Sequence, residues 1–341
     1  MKLIRGLLMT LVLCGCTKDP ATGPLPPPPA SSRGVYILNE GGYLQGNSTL
    51  SYYDTERGTV TNDVFAAVNN RPLGDVGNSI RIHDTLAYIV VNNSHKIEII
   101  ALSDHRSTGT IDMGVGRSPR QMAFVNDSIA LVTNLFDDSV IPVNLRTRAL
   151  LPRIPVGGNP DGIAIAAGKA FVANSGGGNG RTVSVLSLSS LTVTGTLAVG
   201  DNPVKVQVSS AGEVYVLCAG SFSPDTPAKM FVIDPHVPAV VDSISFGGHV
   251  FEFALTSGGR GYIPVGDSVL VLDTGTRAVT GTFLRGASFY SIGVDPVSGD
   301  VYAGDARNYV QPGSVSIYSP TGTLLRSFNV GIIPGSFAFR Q

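Results

Sequence analysis

The sequence has no tryptophan, five histidines, and charged side chains at only 14% of its 341 positions. Its net charge is −1 and no block of basic residues occurs, so nucleic acid is not expected to be a partner. The histidines are dispersed, and no two of them have the spacing of metal ligands: His83, His95, His105, His236 and His249. A metal site is therefore not expected.

Cysteine is also scarce, with three residues in the whole chain. Two of them, Cys14 and Cys16, fall in the N-terminal segment, so Cys218 has no partner for an internal disulfide and is predicted to be buried. The chain shows no clear helical pattern and no Gly-x-Ser-x-Gly turn. The glycine-rich run at 175–180 leads into a strand rather than a helix, so we interpret it as a loop and not a phosphate site.

The N-terminus has the features of an export signal, predicted to span residues 1–16. Lys2 and Arg5 precede a short apolar stretch that ends in Leu13-Cys14-Gly15-Cys16. This ending resembles a bacterial lipobox, in which Cys16 becomes the lipidated residue; an ordinary secretory signal is the alternative. Residues 17–33 contain four consecutive prolines and predict a semi-rigid tether. No other segment approaches transmembrane length.

The residue after the lipobox cysteine is Thr17 rather than Asp, which by analogy with lipoprotein sorting indicates the outer membrane. The run Thr17-Lys18-Asp19 also resembles the export tag of surface lipoproteins in Bacteroidota. We therefore expect an outer-membrane, lipid-anchored protein exposed at the cell surface, with no membrane contact beyond its lipid.

A short phrase, Val-Gly-x-x-Pro or a variant of it, recurs along the rest of the chain. Clear copies end at Pro119, Pro160 and Pro203, and a looser one ends at Pro334. Degraded copies without proline fall around Ser79, Val250 and Phe289. A repeat of about 40–45 residues containing four short strands is typical of a β-propeller blade. Residues 34–341 are therefore predicted to form one all-β, seven-bladed propeller of four-stranded antiparallel blades.

The two ends of this region predict how the ring closes. The strand at Gly34-Val35-Tyr36-Ile37-Leu38-Asn39 matches the second strand of a blade, and the missing innermost strand is supplied by 335–339. Pairing the C-terminal strand with the first blade removes the exposed edges that a linear array would leave.

Several motifs resemble those of known propellers. The strand ends Phe171-Val172-Ala173-Asn174 and Ile89-Val90-Val91-Asn92, with the Val-Gly-Gly-Asn-Pro junctions, are similar to YVTN-type, YncE-like seven-bladed propellers. Residues 34–100, including Leu38-Asn39-Glu40-Gly41-Gly42, resemble a narrower group of Bacteroidota surface lipoproteins. That resemblance implies capture of corrinoids and their transfer to a TonB-dependent transporter.

In a propeller, the loops between blades and those between second and third strands open on the same face, where binding residues concentrate. Aromatic rings among amide groups suit a large, flat ligand with polar edges. The asparagines have an alternative role as turn caps. The predicted ligand-binding residues are Asn39, Glu40, Tyr43, Asn78, Asn93, His95, Arg117, Phe136, Phe222, His249, Phe251, Tyr290, Arg307 and Tyr309.

These observations favour a monomeric, non-catalytic binding protein, accessory to nutrient uptake, with corrinoid capture as the sharpest expectation from the resemblance. The partner is expected to be a small molecule or an envelope protein such as a TonB-dependent transporter. No cofactor is expected, since a corrinoid would be the ligand. One alternative is a protein-interaction scaffold of the cell envelope. The other is a propeller lactonase or hydrolase, in which Glu40, Asp75, Glu252 and Asp305 would have to meet at the channel mouth.

Overall fold

The computed structural model describes residues 33–341 and shows a seven-bladed β-propeller. Seven four-stranded antiparallel sheets form the blades, and one two-stranded hairpin stands apart from them. The predicted fold class is confirmed. The predicted signal segment, its Cys16 and nearly all of the tether lie outside the described residues. Within residues 33–341 there is no helix long and apolar enough to cross a bilayer.

Each blade has four strand positions from the axis outward. The innermost strands of blades 1 to 7 are β30 (Pro334–Arg340), β4 (Gly77–His83), β8 (Pro119–Phe124), β12 (Pro160–Ala166), β16 (Pro203–Val208), β22 (Ala254–Leu255) and β26 (Ser291–Val294). The second strands are β1 (Gly34–Asn39), β5 (Leu86–Val91), β9 (Ile129–Asn134), β13 (Lys169–Asn174), β17 (Val214–Cys218), β23 (Arg260–Val265) and β27 (Val301–Asp305). Clear copies of the junction proline therefore stand at the first residue of an innermost strand.

The third strands are β2 (Thr49–Asp54), β6 (Lys96–Ala101), β10 (Ser139–Asn144), β14 (Thr182–Ser187), β20 (Lys229–Asp234), β24 (Ser268–Asp273) and β28 (Pro312–Tyr318). The outer strands are β3 (Thr59–Thr61), β7 (Ser107–Asp112), β11 (Ile154–Pro155), β15 (Thr192–Ala198), β21 (Ala239–Ser245), β25 (Ala278–Arg285) and β29 (Leu324–Ile332). The separate hairpin, within the loop between β17 and β20, consists of β18 (Ser221–Phe222) and β19 (Asp225–Thr226).

The ring closes as the sequence predicts. Strand β30 pairs antiparallel with β1, from Gly34 opposite Arg340 to Leu38 opposite Ser336, and completes the first blade. Because the first and last strands share one sheet, the backbone hydrogen bonds of β1 are satisfied on both sides and no blade is left open.

The core lies between neighbouring blades. Buried side chains of β13 and β14, such as Phe171 and Val185, pack against Val206 and Val216 of the next blade. Burying each side chain of this size contributes about 1.5–3 kcal/mol. Cys218 belongs to the same cluster and is a free, buried thiol, as predicted, and burial raises its pKa to about 12. It is therefore a packing residue rather than a reactive one.

The sequence predicts no helix, and this prediction is wrong for two short segments. Helix α1 (Val64–Asn69) follows the three-residue outer strand β3, and a 3-10 turn (Gly176–Gly178) lies in the predicted glycine-rich loop. Val64 and Phe65 of α1 pack into the core of the first blade beside Leu73. The helix thus covers core that a longer outer strand would otherwise cover.

Candidate functional site

A cavity of about 720 Å³ opens on the face where the blade junctions and the loops between second and third strands emerge. Its walls come from blade junctions, innermost strands and the ends of second strands. The lining residues are Glu40, Asn78, Arg81, Arg120, Gln121, Asp161, Val204, Lys205, His249, Phe251, Glu252, Pro264, Gly266, Ser288, Phe289, Tyr290, Asp305, Ala306, Arg307, Tyr309, Gly335 and Ser336. Most of them are polar or charged, so the site is predominantly polar with some apolar surface.

The junctions place polar side chains in the cavity through β-bulges. In blade 4 the pairing jumps from Pro160 opposite Asn174 to Ile163 opposite Val172, which leaves Asp161 on the bulge. Blades 2, 3 and 5 shift register at the same place. A bulge re-aims the extra residue out of the regular alternation. The lining residues that arise in this way are Asn78, Arg120, Gln121, Asp161 and Val204.

Close packing at the axis explains the small residues of the innermost strands. A Cβ atom at Gly162 would lie 2.8 Å from the Lys205 Cα and from the Val204 carbonyl oxygen. Strands β12 and β16 therefore approach each other backbone to backbone, which fixes the position of Lys205 at the cavity wall.

Blades 6 and 7 form the open side of the cavity. Their innermost strands have only two and four residues, compared with six or seven in the other blades. The chain before β22 and β26 is irregular and supplies lining residues with large side chains, including His249, Phe251, Glu252, Phe289 and Tyr290. The degraded repeats around Val250 and Phe289 thus correspond to places where loops replace strand at the axis, whereas the one around Ser79 lies in the seven-residue strand β4.

Two ion pairs neutralise much of the charge in the wall. The guanidinium of Arg120 donates to both carboxylate oxygens of Asp161, at 3.2 and 3.0 Å. Burial lowers the pKa of Arg120, but the adjacent Asp161 more than offsets this, so the pKa is raised. The amide oxygen of Asn78 accepts from Nη1 of Arg120 at 2.9 Å, so each of the three guanidinium nitrogens has a hydrogen-bond partner. Lys205 pairs with Glu252 across the next junction.

Glu40 is a cavity carboxyl group whose environment strongly favours the protonated form. Its Oε1 accepts a hydrogen bond from the Tyr290 hydroxyl at 3.0 Å. Burial raises the pKa of Glu40 to about 7, although the hydrogen bond from Tyr290 and the charge of Arg120 both lower it. A Cβ atom at Gly335 would lie 2.2 Å from Oε1 of Glu40, so the glycine makes room for the carboxyl group.

Arg81 projects from β4 into the same cavity. Its Nη2 donates to Oε1 of Gln121 at 3.4 Å, and it forms no ion pair with any residue of the described range 33–341. Burial lowers the pKa of Arg81, and the charge of Glu252 partly offsets this effect.

The cavity mouth has an aromatic rim. The ring of Phe222, on the separate hairpin, lies 3.9 Å from the His249 ring and 6.5 Å from the Phe251 ring, with interplanar angles of 30° and 18°. Tyr290 and Tyr309 meet edge to face at 5.8 Å on the neighbouring junction. Phe222 and Phe251 are 70% and 53% exposed, so their faces are available to a ligand.

The structure brings half of the residues predicted from sequence to the cavity wall: Glu40, Asn78, His249, Phe251, Tyr290, Arg307 and Tyr309. Phe222 joins them through its contact with His249. Tyr43 and Phe136 are exposed on loops of the same face but do not line the cavity.

The remaining predicted residues bond locally instead. Asn39 is fully buried within the first blade and donates to the side chains of Thr49 and Ser51. Asn93 donates to Asp75 at 2.6 Å, and Nδ1 of His95 contacts the carbonyl of Arg117. The guanidinium of Arg117 donates to the Met113 carbonyl at 2.7 Å. These side chains hold the loops, and none of them lines the cavity.

The site also contains residues that the sequence prediction left out, above all Arg81. It stands between Ile80 and Ile82, so alternation within an innermost strand is the signal that would point it away from the core. Among the carboxylates proposed to meet at the channel mouth, Glu40, Glu252 and Asp305 do line the cavity. Asp75 does not, because it is bonded to Asn93.

One group of potential metal ligands occurs among residues 33–341, at the opposite face of the propeller. Nε2 of His83 lies 3.3 Å from Asp127 and 3.9 Å from Asp84, on turns between first and second strands. The two carboxylates are 79% and 75% exposed, which describes a surface ion pair rather than a built metal site.

The fold and site define a seven-bladed propeller with a polar cavity at one mouth of its axial channel. A family profile described as a domain of unknown function, DUF5074, matches residues 33–330, and the chain belongs to this family. No curated protein matches the sequence.

Solved structures resemble the fold at low identity. A quinoprotein alcohol dehydrogenase-like protein from Bacteroides thetaiotaomicron is 15% identical with a TM-score of 0.71, over 92% of this chain and 80% of that one. Hydrazine synthase of Kuenenia stuttgartiensis is 17% identical with a TM-score of 0.64, over 76% of this chain and 88% of that one. The structural neighbours thus include enzymes, but at this identity they show the fold alone.

Proposed function

We propose that the protein is a non-catalytic binding module that holds a small molecule in the cavity at the channel mouth. The cavity of about 720 Å³ is the observation that supports this most directly. Pockets for small molecules commonly measure about 300–1,000 Å³ and combine apolar surfaces with a few placed polar groups. Here the aromatic rim provides flat apolar surfaces, and the charged wall provides the polar groups.

The placement of the chain ends fits a tethered receptor. Gly34 pairs with Arg340 and Asp54, next to the turn between β2 and β3, which lies on the face opposite the cavity. If Cys16 is lipidated as the sequence suggests, the tether reaches the propeller from the back, and the cavity points away from the membrane. This supports an outer-membrane lipoprotein that captures a ligand from solution.

A corrinoid is the first ligand to test, because the resemblance of residues 34–100 suggests it and because a flat ring system suits the rim. The purified protein is mixed with cobalamin at micromolar concentration and desalted. Retained visible absorbance is expected, and it should fall in a Phe251→Ala, Tyr309→Ala double variant. Val237→Ala is the control, because it removes an apolar side chain that is 72% exposed but lies at the opposite face.

Absence of retained cobalamin contradicts the corrinoid version alone. The broader proposal is tested by native mass spectrometry of the protein after incubation with a mixture of small metabolites. Adducts that disappear in the double variant support binding in the cavity, and a lack of any such adduct contradicts it.

A second candidate function is hydrolysis, because Glu40 has a pKa of about 7 inside a cavity, which suits a general acid or base. Two of the other cavity carboxylates are paired with cations, Asp161 with Arg120 and Glu252 with Lys205, which favours binding over catalysis. The fourth, Asp305, accepts a hydrogen bond from the backbone N–H of Arg307. Lactones and esters are the substrates to assay. Turnover that Glu40→Gln abolishes without loss of stability would favour the enzyme.

The same face also suits an envelope-protein partner such as a TonB-dependent transporter. Exposed apolar side chains surround the cavity on several loops: Tyr43, Leu44, Val115, Phe136, Phe222, Phe251, Tyr309 and Val310. A partner that receives the ligand would contact this ring of side chains. Loss of co-purification with a transporter in a Tyr43→Ser, Phe136→Ser variant is the expected result.

A further inference from the structure

Arg81 is the cation of the cavity wall that is withdrawn from solvent without an anionic partner among residues 33–341. Arg120 and Lys205 are each paired with a carboxylate, and Arg307 is exposed at the rim and donates to Asn329 at 2.7 Å. Arg81 is largely removed from bulk water, and its contact with Gln121 is with a neutral group at 3.4 Å. A guanidinium has five donors and stays protonated in proteins. Most of its donors therefore face the cavity unused.

The balance of charge around Arg81 favours an incoming anion. Four cations line the cavity (Arg81, Arg120, Lys205 and Arg307), and four carboxylates face them (Glu40, Asp161, Glu252 and Asp305). Burial raises the pKa of both Glu40 and Glu252, which weakens the negative charge that opposes these cations. Glu252 lies within electrostatic range of Arg81, but its carboxylate is already paired with Lys205.

The aromatic rim lies at the mouth of this same cavity. His249 and Phe251 line it, and Phe222 stacks over them from the hairpin formed by β18 and β19. The hairpin is tied down because Thr226 donates to Asp201 at 2.9 Å and because Asp225 lies 3.2 Å from Nε2 of His249. These contacts hold the hairpin against the cavity wall, and Arg81 lines the same cavity from β4.

We propose that Arg81 binds the anionic group, a carboxylate or a phosphate, of an organic ligand whose flat ring lies against Phe222, His249 and Phe251. This rests on the proposed binding function and specifies the chemical class of its ligand. A guanidinium matches both oxyanions with two parallel hydrogen bonds, which gives orientation as well as affinity. The aromatic surface then selects among anions for those that have a flat ring.

Two matched probe pairs test this ligand class by fluorescence titration at low salt. Riboflavin 5′-phosphate and riboflavin share one ring and differ in a phosphate, whereas 1-pyrenebutyrate and 1-pyrenebutanol differ in a carboxylate. We expect the charged member of at least one pair to bind about tenfold to hundredfold more tightly than its neutral partner, as for a hydrogen bond to a charged group. Which pair shows the difference distinguishes phosphate from carboxylate.

Variants locate the effect. Arg81→Gln should remove the preference for the charged probe and leave the affinity for the neutral probe unchanged, and Arg81→Lys should keep part of the preference. Phe222→Leu should weaken both members of a pair equally, by about threefold to tenfold. Arg146→Gln removes the same charge from an exposed turn on the opposite face and should change nothing.

Three results would overturn the inference: a preference that survives Arg81→Gln, equal affinity for both members of each pair, or no binding of either charged probe at millimolar concentration. Equal affinity that still depends on Phe251 would contradict the role of Arg81 and leave the binding function intact. Circular dichroism and thermal melting of Arg81→Gln show whether the variant is folded, and Arg81→Lys provides the same test if it is not.

Discussion

Replacing Glu40 with Gln should change how stability depends on pH. Burial raises the pKa of Glu40 to about 7 from the ordinary value of 4.5. Each unit of pKa difference between the folded and unfolded states corresponds to about 1.4 kcal/mol, so the full effect on the free energy of unfolding is about 3 kcal/mol. Gln keeps an oxygen that accepts the hydrogen bond of Tyr290 but has no proton to lose.

The sign follows from proton binding. Between pH 4.5 and 7 the folded protein keeps the proton of Glu40, whereas the unfolded chain has released it. The favourable contribution of Glu40 to stability is thus complete below pH 4.5 and is lost as the pH rises through 7. The Gln variant lacks this loss. The difference in free energy of unfolding, Gln variant minus wild type, should therefore be about 3 kcal/mol larger at pH 8 than at pH 4.5.

Urea unfolding of both proteins from pH 4.5 to 8 measures this difference, and the groups that they share cancel in the comparison. Glu56→Gln makes the same chemical change at an exposed turn on the opposite face and is the matched comparison. A stability difference between Glu40→Gln and wild type that stays constant to within about 0.5 kcal/mol across this range would refute the reasoning. So would a carboxyl carbon titration by NMR that places Glu40 near its ordinary pKa.

Two further predictions concern the fold. Deletion of residues 334–341 removes β30 and leaves β1 without its inner neighbour, so the protein should lose cooperative urea unfolding and aggregate on size-exclusion chromatography. Deletion of Gln341 alone should have no effect. A truncated protein that stays monomeric and unfolds cooperatively would contradict the role of β30 in closing the ring. Arg71→Ala removes the bidentate partner of Glu98, a fully buried carboxylate at 2.7 and 3.0 Å. Lys96 and Ser107 still bond this carboxylate, so the free energy of unfolding should fall by about 2 kcal/mol, as for the loss of a hydrogen bond to a charged group. Arg153→Ala, at a pair with a mostly exposed arginine, should change it by less than about 1 kcal/mol, and equal losses in both variants would be inconsistent with this argument.

The fold was predictable because its signals are local and repeated. Each blade has a period-2 strand pattern and a junction motif, and four of the junction prolines stand at the first residue of an innermost strand: Pro119, Pro160, Pro203 and Pro334. Helix α1 was not predicted because six residues are too few to show a repeating apolar pattern with the helical period. Its stability comes instead from packing Phe65 into the core.

The candidate site was only partly predictable, for a different physical reason. Topology assigns a loop to a face but does not say which side chains turn inward. Asn39 and Glu40 are adjacent in sequence, yet Asn39 is buried within its blade and Glu40 faces the cavity. The two side chains have different environments because the pairing of β1 with β30 shifts register between Leu38 and Asn39. No residue pattern in β1 predicts this shift. Arg81 is not predicted from loop position because it lies within an innermost strand, β4.

The irregularity of the repeat is the feature that makes a site. In blades 2 to 5 the junction bulge places short or paired polar groups around the axis in similar ways, which by itself would give a nearly symmetric channel. In blades 6 and 7, where the junction proline is missing, the innermost strand shrinks to two and four residues. The irregular chain that replaces it supplies Phe251 and Tyr290 from blades 6 and 7, whereas Arg81 and Arg120 come from blades 2 and 3. A ligand that enters therefore meets rings from one pair of blades and guanidinium groups from another, and this asymmetry gives the site a direction that a regular propeller would lack.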